Sequence, residues 1–401
     1  MFVLIPPLIL SCHLFFVMLK SKKGVRRLDY RKWYDKDIKT SLLGFGAMRL
    51  KTIDGEIDEE KGLELFDYAF RNGINYFDTA MPYTDGKNEA FVGKALKRYP
   101  RESFYLATKL TLRLFETRKE VEELIDKQLE TLQTDYIDMY LLHAMNKDRL
   151  QRVREWDIID LVKKWKAAGK IRYIGFSFHD DYDTFKELLD LYDWDFVQIQ
   201  LNYLDTEIQQ GIQGYYDLEE RRIPVVIMEP IKGGKLAKFN EEIEKIFKDY
   251  SDASIASCAL RWVGSLPGVK VILSGMNELE QVVDNVNTFK NFKPLTKEED
   301  EIIAKVKAAL QEFKAVGCTN CKYCLPCAVN INIPAYFSLY NNHRMFANEE
   351  LTRHEAKHVK EKSALFTECI ECGQCVEACP QGIDIPNELK KLGEMMEILK
   401  W

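Results

Sequence analysis

The sequence predicts an α/β chain, a (β/α)8 TIM barrel followed by a C-terminal, mostly helical, cysteine-rich domain. Three observations predict it. Short apolar runs alternate eight times with segments of helical period between Leu42 and Val286. Four polar residues, Asp78, Tyr83, Lys109 and His143, fall at or just beyond the ends of three successive runs. Eight of the 10 cysteines lie between Cys318 and Cys379. Strand–helix alternation prescribes parallel strands, and only parallel neighbours bring successive strand ends to one face. A doubly wound open sheet would place Gly-x-Gly-x-x-Gly and a helix directly after its first strand. Leu42-Leu43-Gly44-Phe45-Gly46 supplies neither.

Residues 1–27 precede the barrel. Met1 to Leu19 has no charged residue with His13 neutral, and Lys20, Lys22, Lys23, Arg26 and Arg27 follow. About 19 apolar residues is the lower limit of a membrane span, and basic residues after it would leave the body in the cytoplasm. Pro6, Pro7, Ser11 and His13 interrupt the run. It is either an anchor or an upstream extension of a chain that starts at Met18, and a membrane is a partner only in the first case.

The barrel spans residues 28–293. Strand Leu42–Gly46 leads to helix Asp58–Asn72, which stops at Gly73. Strand Ile74–Phe77 precedes helix Asn88–Arg98, and strand Phe104–Ala107 precedes helix Thr117–Leu132. Strand Tyr136–Leu142 and helix Trp156–Ala168 follow, with Gly169 as the helix stop. The last four units pair Ile171–Phe176 with Tyr182–Leu191, Phe196–Ile199 with Glu207–Glu220, Val225–Met228 with Ile255–Trp262, and Val269–Leu273 with Glu278–Val286. Met145–Glu155 and Asn202–Gly214 read as the loops that set substrate choice.

Composition bounds the function. A net charge of −6, with no basic block in the body, excludes a nucleic-acid binder. Crowded rather than dispersed cysteines point to a reduced, cytoplasmic metal site instead of disulfides. Cys12 and Cys258 stand apart and read as packing residues.

The four polar residues suit carbonyl reduction by hydride, which needs a proton for the developing alkoxide. Tyrosine is a weak acid, with a pKa of about 10. An adjacent ammonium favours its phenolate, and about 4 kcal/mol of differential stabilisation would bring it to neutrality. Tyr83 is therefore the expected acid, Lys109 its activator, Asp78 the anchor of Lys109, and His143 the group that orients the substrate oxygen.

The segments GFGAMRL, INYFDTAMPY, FYLATK, TDYIDMYLLH and KIRYIGFS resemble the aldo-keto reductase family in order and spacing, over roughly residues 28–286. The resemblance implies a (β/α)8 barrel that binds NADP or NAD across its strand C-terminal face and acts on a small-molecule carbonyl or alcohol. It implies the tetrad Asp78, Tyr83, Lys109 and His143. It places Ser177 and Gln198 on the nicotinamide carboxamide, Pro230, Gly233 and Leu236 along the pyrophosphate, and Gln281 and Asn285 at the adenine end. Met228 stands where many members stack a tyrosine on the nicotinamide. Gly275 and Gln281 stand where many place a basic pair for a 2′-phosphate, with Lys232 as the substitute.

Residues 294–401 form the second domain. After Phe292-Lys293-Pro294, helix Thr296–Lys314 begins with a Thr296/Glu299 capping pair. Two cysteine runs follow: Cys318, Cys321, Cys324 and Cys327, then Cys369, Cys372, Cys375 and Cys379-Pro380. The second has the ferredoxin spacing, in which three cysteines hold one [4Fe–4S] and the fourth reaches the other cluster. Two [4Fe–4S] clusters are expected, one on Cys318, Cys321, Cys324 and Cys379, the other on Cys369, Cys372, Cys375 and Cys327. Paired zinc sites are the alternative. The intervening Ile333–Phe366 is expected to be helical, and the whole layout resembles an iron–sulfur subgroup of aldo-keto reductase-like proteins. His354-Glu355-Ala356-Lys357-His358 matches the zinc-protease string, but its charged surroundings read as a solvated helix face.

Hydride transfer moves two electrons, and no flavin motif is present to divide them. The clusters are therefore expected to be structural or to meet a redox protein partner. The competing reading is a nicotinamide-sensing or electron-transfer module without carbonyl turnover.

Overall fold

The computed structural model describes residues 28–250, 253–290 and 292–398. Eight parallel strands close in sequential order: β1 Leu43–Gly46, β2 Tyr76–Asp78, β3 Tyr105–Leu110, β4 Ile137–Met145, β5 Ile171–Phe178, β6 Phe196–Gln200, β7 Val225–Met228 and β8 Val269–Ser274. Ile272 pairs with Leu43 and Ser274 with Phe45, which closes the ring. The helices of the first half are α1 Glu59–Arg71, α2 Asn88–Leu96, α3 Arg118–Glu122, α4 Leu124–Leu132, α5 Lys147–Glu155 and α6 Ile158–Ala167. Those of the second half are α7 Tyr182–Leu189, α8 Gly211–Glu220, α9 Glu241–Lys248, α10 Ile255–Gly264 and α11 Leu279–Phe289.

Strand period two decides which residues enter the barrel. Tyr76, Ala107, Met139, Leu141, Phe196, Val226, Val271 and Leu273 fill the interior in one buried cluster with Trp33 and Ile38. The next position of the same parity on β2, β3, β4, β6 and β7 is Asp78, Lys109, His143, Gln198 and Met228. Each stands directly above the apolar plug. Gly44 is required on β1, because a Cβ there would come within 2.6 Å of Val271 Cγ1. The N-terminal floor is sealed by a hairpin, Tyr30–Lys32 against Lys39–Ser41, with Trp33 Nε1 donating to Thr40 Oγ1 at 2.8 Å.

Several expectations are corrected. Lys109 and His143 lie inside strands, not after them, because β3 and β4 run on to Leu110 and Met145. Met145–Glu155 is not a loop but mostly α5, started by Asn146, whose side chain accepts from Arg149 N. The helix expected over Thr117–Leu132 divides at Glu123 into α3 and α4. The helix expected from Glu207 begins at Gly211, since Gln209 and Gly211 both take φ of 59°. The apolar run 1–19 lies outside the described residues, and no described helix is long and apolar enough to cross a membrane.

Beyond the barrel come α12 Lys297–Glu312, α13 Ile333–Phe346, α14 Glu349–Glu361, α15 Gln374–Glu377 and α16 Ile385–Ile398. The Thr296/Glu299 capping box forms as expected. The segment 333–366 is two helices, since Ala347 turns left-handed (φ 48°) and Asn348 caps the next. Ile303, Val306 and Leu310 of α12 and Phe346 of α13 share one buried cluster with Leu236, Phe239 and Phe247. Lys235 and Glu355 form an ion pair of 2.7 Å across the same boundary. A separate core, including Ile333, Phe337, Phe366 and Leu389, carries the partly buried cysteines on its flank.

Candidate active site and cysteine cavities

Lys109 is fully buried, and every donor of its ammonium is used. Nζ donates to Asp78 Oδ1 at 2.7 Å, Thr79 O at 2.8 Å and Tyr83 OH at 3.3 Å. Burial works against the charge, but Asp78 and Tyr83 outweigh it and hold Lys109 above its usual pKa. It is therefore an ammonium at any physiological pH. The Tyr83 and His143 rings stand edge to face at 5.9 Å. The structure thus brings together all four residues expected at the strand ends.

The expected depression of the Tyr83 pKa is not present. Burial pushes the phenol above its ordinary value more strongly than Lys109 pulls it down, with Asp78 adding to the rise. A phenolate loses more hydration here than one shared ammonium restores, so the hydroxyl carries its proton at neutral pH.

His143 Nδ1 meets Thr111 Oγ1 at 2.7 Å. Burial, then the cations Lys109, Arg113, His179 and Arg149, push the imidazole down to about 2. It is neutral wherever the protein is folded. Below pH ~6.5 the unfolded chain gains a proton that folded His143 refuses, so this residue costs stability progressively as pH falls from 6.5 towards 2, and nothing above. His143→Gln is expected to flatten the stability curve in that window, measured by urea unfolding at stepped pH. An unchanged curve would show that the imidazole is not held neutral.

Supports for these residues escaped the sequence reading. Thr79 Oγ1 donates to Asn88 Oδ1 at 2.7 Å, and Asn88 Nδ2 reaches Thr84 Oγ1 at 3.1 Å, tying down the Tyr83 loop. That loop turns through left-handed Thr84, Asp85 and Gly86. Behind β3, Gln128 Nε2 donates to Lys109 O at 3.2 Å and to buried Glu89 at 2.9 Å. Thr111 was legible as the next inward position after Lys109. Asn88, Glu89 and Gln128 sit at ordinary helical spacing and gave no signal.

The residues implied for a cofactor divide into two groups. Ser177 Oγ accepts from Ala144 N at 2.7 Å, at a register shift where β4 bulges and Ala144 takes φ of 51°. Gln198 Nε2 approaches Met228 Sδ at 3.5 Å, and Gln198 Oε1 is buried without a partner among the described residues. Pro230 is buried just beyond β7, and Gly233 turns with φ of 64°. These line the mouth. The other side chains are committed elsewhere. Leu236 is packed in the core shared with α12 and α13. Gln281 Oε1 accepts from Asn277 N at 2.9 Å in the cap of α11, and buried Asn285 donates to Ser274 Oγ at 2.9 Å. Lys232 is not free to meet a phosphate, since buried Asp205 holds it at 2.7 and 2.6 Å. Arg49 is the basic residue that composition could not single out. Its side chain would meet a Cβ placed on Gly233 or on Gly275.

The eight clustered cysteines are uncrosslinked and surround two cavities. One is lined by Cys318, Cys321, Cys324 and Cys379 under Ile333 and Phe337. The other is lined by Cys327, Cys369, Cys372 and Cys375, with Cys324 on the wall between them. Among the described residues no three such side chains converge on a point as a single ion requires. In the zinc-protease string, Glu355 is taken by Lys235, and His358 faces Glu361 at 3.4 Å on an exposed turn.

A buried lysine shared by a carboxylate and a tyrosine hydroxyl, at the C-terminal mouth of a (β/α)8 barrel, defines a barrel oxidoreductase. The aldo/keto reductase family matches residues 42–308, and a 4Fe-4S dicluster domain matches 317–383. The chain belongs to the aldo/keto reductase family and carries a C-terminal ferredoxin-type domain. It is 27% identical to L-galactose dehydrogenase of Arabidopsis thaliana over 310 residues, 72% of this chain and 96% of that protein. It is 25% identical to the NADH-specific methylglyoxal reductase of Escherichia coli over 296 residues, 62% of this chain and 90% of that protein. The holo form of an aldo-keto reductase from Bacillus halodurans superposes with a TM-score of 0.59 at 29% identity, covering 70% of this chain and 96% of that one.

Proposed function

We propose that this enzyme reduces a carbonyl, or oxidises the corresponding alcohol, using NADP or NAD, with Tyr83 as general acid. The observation that carries this reading is the Lys109 ammonium in contact with both Asp78 and Tyr83 OH. The nicotinamide, when bound, supplies the hydride. Ser177 and the unpartnered Gln198 Oε1 suit its carboxamide, and Arg49 suits a phosphate of the dinucleotide.

The protein's part is the proton. Tyr83 holds it at neutral pH and gives it to the alkoxide oxygen as charge develops there. Lys109 then stabilises the phenolate that remains, an interaction stronger after transfer than before it. Asp78 keeps Lys109 charged and in place. Neutral His143, with Nδ1 held by Thr111, presents Nε2 to the carbonyl oxygen. In alcohol oxidation the same groups run in reverse.

Tyr83→Phe is expected to lower kcat by about 10²–10⁴, followed by nicotinamide absorbance with a panel of aldehydes. Equal, slow rates in wild type and variant would favour the sensing module. The two cysteine cavities support two [4Fe–4S] clusters, and iron and sulfide analysis of anaerobically purified protein should give about eight of each per chain.

A further inference from the structure

The cations around His143 include Arg113 and Arg149 besides the paired Lys109. Arg113 lies two residues past Thr111, whose hydroxyl contacts His143. Arg149 donates to the carbonyl of Ala144, the residue after His143. These two arginines come from elements pinned to one another, since Arg152 of α5 donates to Leu112 O and Phe115 O, both at 3.1 Å, on either side of Arg113. Among the described residues neither Arg113 nor Arg149 has an ion-pair partner, whereas most guanidiniums of the barrel do.

The other charged groups nearby do not neutralise them. Asp78 is spent on Lys109. His179 faces Gln209 and the field of Glu229. Asp148 is exposed on α5 and is the one acid acting on Arg149, against Arg113 and Arg152. Two guanidiniums at one mouth repel each other unless an anion sits between them, and a carboxylate is the planar acceptor their donor forks match. The same rim exposes three large apolar side chains, Met48 after β1, Leu114 after β3 and Ile208 after β6.

We propose that the substrate is a carboxylate-bearing aldehyde or ketone, its carbonyl at Tyr83 and His143, its carboxylate on Arg113 and Arg149, and its apolar body against the rim. This rests on the carbonyl-reduction reading above.

The test uses the full chain with its clusters loaded, and two probes that differ in one charge: 4-formylbenzoate and its neutral methyl ester. Wild type is expected to prefer the acid in kcat/KM by about 10–100-fold, the value of a charge-assisted contact. The preference should sit in KM and shrink with added salt. Arg113→Leu, at an exposed position, should abolish most of it, and Arg113→Lys should restore only part, because an ammonium lacks the fork. An ester reduced as well as the acid by wild type overturns the proposal, as does a preference that Arg113→Leu leaves intact. Reduction of neither probe overturns the carbonyl reading itself, so the two failures are distinct.

Discussion

Lys109→Met is expected to abolish turnover, by about 10³-fold or more, and to destabilise the barrel at the same time. The two losses have different origins. Activity falls because a phenol already pushed up by burial loses the one cation in contact with its oxygen, so the phenolate left by proton transfer has nothing beside it. Stability falls because Asp78 is left as a buried carboxylate whose Oδ2 has no partner among the described residues and whose Oδ1 has lost Lys109. Breaking one side of a buried pair costs about 3–5 kcal/mol. The variant Asp78→Asn/Lys109→Met removes the stranded charge. It should recover much of the urea midpoint while remaining inactive, since the activating ammonium is still gone. Recovery of activity in that double variant would remove Lys109 from the mechanism.

Cys379→Ser should remove one cluster only, and the one remote from it in sequence. Under the proposed pairing, Cys379 completes the cavity of Cys318, Cys321 and Cys324, while its own run holds the other cluster through Cys369, Cys372 and Cys375. Iron should drop from about eight to about four per chain. Protection from amide exchange should fall around 318–324, because bound metal is part of the folding energy of such modules. Loss at 369–375 instead would show that each run closes on itself. Loss of barrel protection at Lys235–Phe239 would add that the tail's order reaches the loop beyond β7, through Glu355 and Phe346.

The barrel was legible because its signal is repeated. Eight apolar runs at similar spacing, each ended by turn residues, leave few topologies, and position at or just beyond the ends of three successive runs picks out Asp78, Lys109 and His143. Tyr83 could be placed only in the loop beyond β2. That its hydroxyl turns back to Lys109 depends on three left-handed residues and on Asn88, which no local pattern shows. The cysteine spacings carried the metal chemistry outright, since a x₂ repeat has few other uses.

What the sequence determined by itself was the list: the order of the strand–helix units, the polar residues near the ends of three apolar runs, and the two cysteine runs. These follow from local periodicity, a property of near neighbours along the chain. What only the tertiary structure decided was the balance of fields at those residues. Tyr83 is pushed up, not down, because burial is a sum over residues distant in sequence. Lys232 is taken by Asp205, Arg49 in the turn after β1 comes over the glycines beyond the neighbouring β7 and β8, and Arg113 and Arg149 feel one another because α5 is pinned to the β3 turn. Desolvation and Coulomb energy depend on distance through space, and that distance does not exist until the barrel closes.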